Sequence, residues 1–306
     1  MDVNQAIDLQ ELELDPIPEH LYKTSSDVRR RVRALKTVQE EIVKQEANFF
    51  KEIHELEVKY SKIYNDINKS RAAVVTGAYE PTEEEASKHP LLHSIDQTDL
   101  QAFEQDWNKN NVSNGVVGIP DFWLNVFLQT HSIGEMVTEA DAPVLSHLID
   151  VSYTATLEPQ SFTLSFQFSP NEYFDNTEIT KTYVINTNMD PERPFAYTGP
   201  VVQSIKGTKI QWKAGKDVTK DSKGDDVPSV FRFFEIFLER QPACEDEDAE
   251  MSVDFEIGQK IRDEIIPRAV LYYTGEATDE DELDEDYLED LSDDDDDDDE
   301  DVMEEE

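Results

Sequence analysis

From Val28 to Thr76 the chain contains neither glycine nor proline, and apolar residues return at every seventh position: Val28, Leu35, Ile42, Phe49, Leu56 and Ile63. A second row at Val32, Ile53, Tyr60 and Ile67 follows members of the first by four residues, so the two rows form one apolar seam along a helix. Gln39 and Glu46 interrupt the seam midway, and Thr24-Ser25-Ser26-Asp27 offers side chains able to cap its start. A helix of about 45 residues is about 68 Å long, against a diameter of about 50 Å for a compact chain of this size. Such a helix outruns a body built from its own chain, so the seam predicts a homodimer in which a second copy covers it. A single helix packed along its own domain is the alternative.

Charge constrains the rest. The 306 residues carry 70 Asp and Glu against 27 Lys and Arg, a net charge of −43. Residues 279–306 hold 21 of those acids and no Lys or Arg, which leaves −22 on everything before them. A block of like charge cannot collapse on itself, so a disordered acidic tail is expected there. A chain this negative repels nucleic acid and anionic membranes and attracts basic proteins, so no tight direct nucleic-acid binding and no membrane partner are expected. With one cysteine, Cys244, no disulfide forms within the chain. The start lacks a basic region followed by an apolar run, and no stretch approaches the apolar length of a membrane span. The expectation is a reducing compartment.

Four segments follow from these patterns. Residues 1–27 are an acidic lead-in with a short helix around 8–14, and 28–115 a helical dimerisation domain with its long helix at about 28–75. Residues 116–278 form an α+β domain and 279–306 the tail. In the second segment, Glu80-Pro81-Thr82-Glu83-Glu84-Glu85 reads as a helix start, with Leu91-Leu92 and residues 100–107 as further helix and 108–118 as linker. In the third, Pro120 suits the first turn of a helix. Val151, Tyr153, Ala155 and Leu157, then Phe162, Leu164, Phe166 and Phe168, alternate about Glu158-Pro159-Gln160 as an antiparallel hairpin. Further strands are expected at 179–186 and 209–213, and helices at 229–238 and 253–266, the last stopped by Pro267. Strands followed by helices predict a sheet with helices on one face.

No motif for catalysis, cofactor or metal emerges. Gly207 and Gly215 lack phosphate-loop spacing. His89 and His93 are four apart, but Pro90 lies between them and no cysteine or third histidine joins them; Asp96 is the nearest further ligand. Arg29-Arg30-Arg31-Val32-Arg33 reads either as a nuclear import signal or as a solvated helix face. Val32, Leu35, Val38 and Ile42 have export-signal spacing but coincide with the seam. Glu135 and Glu139, four apart where a helix is plausible, and Asp141 lie in a stretch with no Lys or Arg between Asp121 and Asp175. Uncompensated like charges mark either a surface for a basic partner or an ordinary solvated face.

In the tail, Asp284, Glu285, Asp286, Tyr287, Leu288, Glu289 and Asp290 place an aromatic and an aliphatic side chain among carboxylates, and an acidic run including Asp293 and Asp294 follows. Tyr287 and Leu288 are candidate anchors; the alternative is a purely electrostatic tail. Extended, the tail carries one charge per about 4.5 Å, against about 1.7 Å along duplex DNA. Such a polyanion screens a basic protein yet yields it to DNA.

Several motifs then point to one family. Gly118-Ile119-Pro120-Asp121-Phe122-Trp123, Asn171-Glu172-Tyr173-Phe174, Thr180-Lys181-Thr182-Tyr183, Trp212-Lys213, Phe233-Phe234, Asp254-Phe255-Glu256-Ile257-Gly258 and the run from Ile265 to Ala277 resemble nucleosome assembly proteins, in order, over about residues 25–280. The resemblance implies a dimer built on long antiparallel helices, a four-stranded antiparallel sheet covered by helices, and an acidic tail. It also implies a non-enzymatic histone chaperone that binds core histones, as dimers and tetramers, without a cofactor, in nucleus and cytoplasm. In relatives the acidic helix region of the second domain contributes to the histone surface, which here falls on Glu135 and Glu139. Relatives also carry a basic import signal near Trp212, where this chain interleaves Lys213, Lys216, Lys220 and Lys223 with Asp217, Asp221, Asp225 and Asp226. A phosphatase-inhibiting scaffold, as in a cousin branch, is the alternative function.

Overall fold

A computed structural model of the chain describes residues 18–110, 115–239 and 245–277. The helix expected around 8–14, Cys244 and the acidic tail lie outside these residues. After the single turn α1 (Glu19–Tyr22), the seam forms one unbroken helix of 50 residues, α2 (Ser26–Val75). The Ser25 hydroxyl accepts the Val28 amide at its start, and Gly77 at φ 72° ends it. Gly118 is obligatory beside that end: a Cβ there would sit 2.2 Å from the Val75 carbonyl oxygen, which itself accepts the Ile119 amide at 2.8 Å.

The chain divides into two compact units, one holding the first half of α2 up to Lys51 together with Thr187–Pro200, the other running Glu52–Asn186 and continuing from Val201. In the first unit, Gly199 lies against the Phe50 ring and the Lys36 ammonium over Phe195. In the second unit, the acidic segment after α2 yields only the turn α3 (Glu83–Ala86), closed by a reciprocal Thr82–Glu85 capping box. Leu91 and Leu92 lie outside any helix. Helix α4 (Gln97–Asn110) then extends into what was expected to be linker.

The sheet runs β1 (Leu148–Leu157), β2 (Gln160–Phe168), β3 (Glu178–Asn186), β4 (Val201–Gly207) and β5 (Leu238–Glu239), each antiparallel to the next in chain order. It thus has five strands where four were expected, the fifth being two residues long. The hairpin about Pro159 forms as read, with Tyr153 opposite Leu164 and Ala155 opposite Phe162. Residues 209–213 are not a strand: Trp212 makes only an isolated bridge with Phe174, and the fourth strand lies earlier, at Val201. A register shift at Val184 and Ile185 lets Val201-Val202-Gln203-Ser204-Ile205 pair without the clean alternation that marks a strand in sequence.

Short helices α5 (Phe122–Leu128), α6 (His131–Gly134), α7 (Ala142–Leu145) and α8 (Phe231–Glu235), with the longer α9 (Glu245–Lys260) and α10 (Ile266–Thr274), complete the second unit. Helix α5 begins after Pro120, with Asp121 in the left-handed region at its start. Pro267 does not stop the last helix. A π-turn at Ile261–Ile265 resets the hydrogen-bond register so that Pro267 falls in the first turn of α10, where its missing amide costs nothing. Phe162 stacks on Tyr183 at 4.7 Å and Phe166 meets Phe234 edge-on at 4.7 Å. Burying each such side chain contributes about 1.5–3 kcal/mol.

Candidate functional site

The two faces of α2 differ. Val28, Leu35, Ile42 and Phe49 in the first unit, and Leu56 and Ile63 in the second, are all exposed, Leu35 at 63% and Phe49 at 59%. Water against a row of that length is a standing cost that an apolar partner surface removes. The other face of the second half is used internally. His54 reaches the Thr156 carbonyl, the Asn65 amide donates to the Tyr153 carbonyl at 2.6 Å, and the Arg71 guanidinium donates to the Val151 carbonyl at 3.2 Å while lying over Trp123. Val58, on the same face as His54 and Asn65, belongs to the core.

Glu135, Glu139 and Asp141 do not share a helix face. Glu135 is the C-cap of the single-turn helix α6, and Glu139 lies in the turn before α7. Both are exposed; the Glu135 carboxylate lies 3.4 Å from His131 Nε2, an ion pair only when His131 is protonated. Asp141 is fully buried. Its carboxylate accepts from the Ser229 hydroxyl at 2.5 Å, the Val230 amide at 3.1 Å and the Thr138 amide and hydroxyl, both at 2.9 Å. Asp141 therefore ties α8 to the loop that presents Glu139 and is not itself a surface carboxylate. The tail candidates Asp284, Glu285, Asp286, Tyr287, Leu288, Glu289, Asp290, Asp293 and Asp294 lie outside the described residues.

Sequence reading missed two polar centres. In one, Lys181 is fully buried on β3, its ammonium donating to Asp254 on α9 and to the Phe233 carbonyl, while the Tyr183 hydroxyl donates to the other Asp254 oxygen at 2.8 Å. Burial pulls the Lys181 ammonium down to about 8 although Asp254 pulls it upward, and burial raises the Asp254 carboxyl against the pull of Lys181. The signal was present: Ile179, Lys181, Tyr183 and Ile185 all fall in the inward phase of one strand, and an inward lysine requires a buried acceptor.

The other centre joins α2 to the π-turn. His54 Nδ1 lies 3.0 Å from Glu57, and the Arg262 guanidinium pairs with Asp263 at 2.7 Å, approaches Glu57 at 3.5 Å and covers the Phe162 ring. The Glu57 hydrogen bond raises the His54 pKa against burial. Burial pushes Glu57 up, but His54 and Arg262 together hold it below its ordinary value.

Three of the four lysines after Trp212 are held by acids: Lys213 by Asp175 at 3.4 Å, Lys216 by Glu172 at 2.7 Å, and Lys220 by Asp226. His89 and His93 meet edge to face at 5.8 Å. Among the described residues no group of three His, Cys, Asp or Glu is arranged to hold a metal.

A long helix with one uncovered apolar face, followed by an antiparallel sheet carrying helices, defines the class of protein. The family model described as nucleosome assembly protein matches residues 30–276. This chain belongs to that family. It is 39% identical over 283 residues to nucleosome assembly protein 1-like 1-A of Xenopus laevis, covering 85% of this chain and 71% of that protein. To human nucleosome assembly protein 1-like 1 it is 38% identical over 288 residues, covering 85% and 72%. Among solved structures, nucleosome assembly protein 1 from Plasmodium knowlesi superposes with a TM-score of 0.52 at 23% identity, covering 82% of this chain and 98% of that one, a likeness of fold.

Proposed function

We propose that this protein is a histone chaperone that acts as a homodimer, binds core histones through acidic surfaces and its C-terminal tail, and delivers them for nucleosome assembly. Membership of the nucleosome assembly protein family carries the reading, and the net charge of −43 supplies its physics. A basic partner is drawn in at long range and its nonspecific contacts with DNA are suppressed, while the higher charge density of DNA favours release. The exposed seam on α2 supports pairing with a second copy. Glu135 and Glu139 are the exposed carboxylates assigned to the folded histone surface, and Tyr287 with Leu288 the tail anchor among acidic neighbours. The mechanism uses no cofactor and no bond-breaking step, and the protein works in nucleus and cytoplasm.

The test is binding of purified core histone dimers and tetramers near physiological salt, by the full chain and by a chain ending at Ala277. Tight binding by the full chain that weakens on truncation is expected. Absence of binding by both would refute the chaperone reading.

A further inference from the structure

Glu135 stands between two hollows of the second unit. On one side is an apolar groove of about 600 Å³ walled by Met136, Phe233, Ile236, Val253 and Ile257. Of the polar groups that line it, Ser229 and Asp254 are engaged inward, Ser229 donating to Asp141 and Asp254 accepting from Lys181 and Tyr183, while Arg232 pairs with Asp226 at 3.0 Å on the surface. Exposed carboxylates, Glu135 and Glu250, stand at its edge. On the other side a smaller polar hollow of about 400 Å³ is lined by His131, Gln129 and Gly275, where the negative end of α10 favours a cation.

We propose that the groove receives an apolar side chain from a basic, amphipathic segment of the partner, whose neighbouring Lys or Arg meets Glu135 and Glu250. The inference rests on the chaperone reading and gives its folded surface an apolar anchor in addition to charge. Charge complementarity selects this occupant. The same two carboxylates repel an acidic segment such as this chain's own tail, and a basic segment without an apolar side chain gains nothing from the walls. Among the described residues, the cation that lines the groove is Arg232, which is paired with Asp226, a carboxylate it shares with Lys220.

Val253 is 59% exposed, so Val253→Gln removes a wall without opening the core. The probes are a synthetic amphipathic helix with Leu on one face and Lys and Arg on the other, and the same peptide with Leu replaced by Ser. In the full chain, Val253→Gln is expected to weaken the Leu peptide about tenfold and leave the Ser peptide within about twofold. Glu135→Gln is expected to weaken both. Unchanged affinity for the Leu peptide, or equal losses for both peptides, overturns the groove assignment.

A benzophenone side chain at position 253 identifies the occupant. Crosslinking to the Leu peptide is expected; crosslinking to residues 278–306 or to a second copy under saturating peptide overturns the proposal. Core histones separate the two levels of inference. Failure of the unaltered chain to bind them strikes the chaperone reading, whereas binding that Val253→Gln leaves unchanged strikes the groove alone.

Discussion

The Nε2 of His54 lies 2.8 Å from the carbonyl oxygen of Thr156, 102 residues further along the chain. Its Nδ1 lies 3.0 Å from the Glu57 carboxylate, so both ring nitrogens face acceptors and only the imidazolium donates to both. When protonated, this ring fastens the long helix to the end of the first strand through both nitrogens.

This geometry predicts a pH-dependent contribution to stability. His54 is raised above its ordinary 6.5, so its contribution is complete below that value and disappears as pH rises through the higher folded value. Glu57 is lowered from 4.5, so its contribution is present above that value and disappears in acid. The window between the two ordinary values is where the pair stabilises most. Urea unfolding of His54→Gln should show a deficit of about 1–3 kcal/mol near pH 6 that shrinks towards about pH 9. A deficit constant across that range would show that His54 acts by packing alone.

Lys181 and Asp254 are a buried charge pair, and removing one partner strands the other. Lys181→Met should cost about 3–5 kcal/mol, and Lys181→Met with Asp254→Leu should cost less than the sum of the single changes. Denaturant unfolding of the double-mutant cycle measures the coupling. Strict additivity would mean that the two groups stabilise the fold independently.

Gly258 on α9 lies against Tyr183, where a Cβ would come within 2.5 Å of the ring. The ring is pinned by its stack on Phe162 and by the bond from its hydroxyl to Asp254. Gly258→Ala should therefore destabilise by about 1–3 kcal/mol, despite the better helix propensity of alanine. A thermal melt at or above wild type would mean that the helix shifts freely on the sheet.

The exposed row on α2 predicts self-association. Light scattering should find the full chain as a dimer, and Leu35→Glu with Leu56→Glu should yield folded monomer with unchanged helical circular dichroism. A double variant that remains dimeric would place the interface elsewhere.

The sequence alone determined the features that depend on local repetition. A heptad series without glycine or proline can hardly be anything but a long helix, and alternation through Val151 to Phe168 defines a hairpin because strand side chains have a period of two. The charge block at the end and the family motifs were equally open to reading. What only the tertiary structure decided depends on partners far apart in the chain. Val201 to Gly207 became a strand because β3 was there to pair with it, and Pro267 was admitted to a helix because a π-turn shifted the register before it. Asp141 and Glu139 read alike as acids, yet one is consumed by Ser229 and Val230 and the other faces solvent, because burial belongs to the packed chain and not to the residue type.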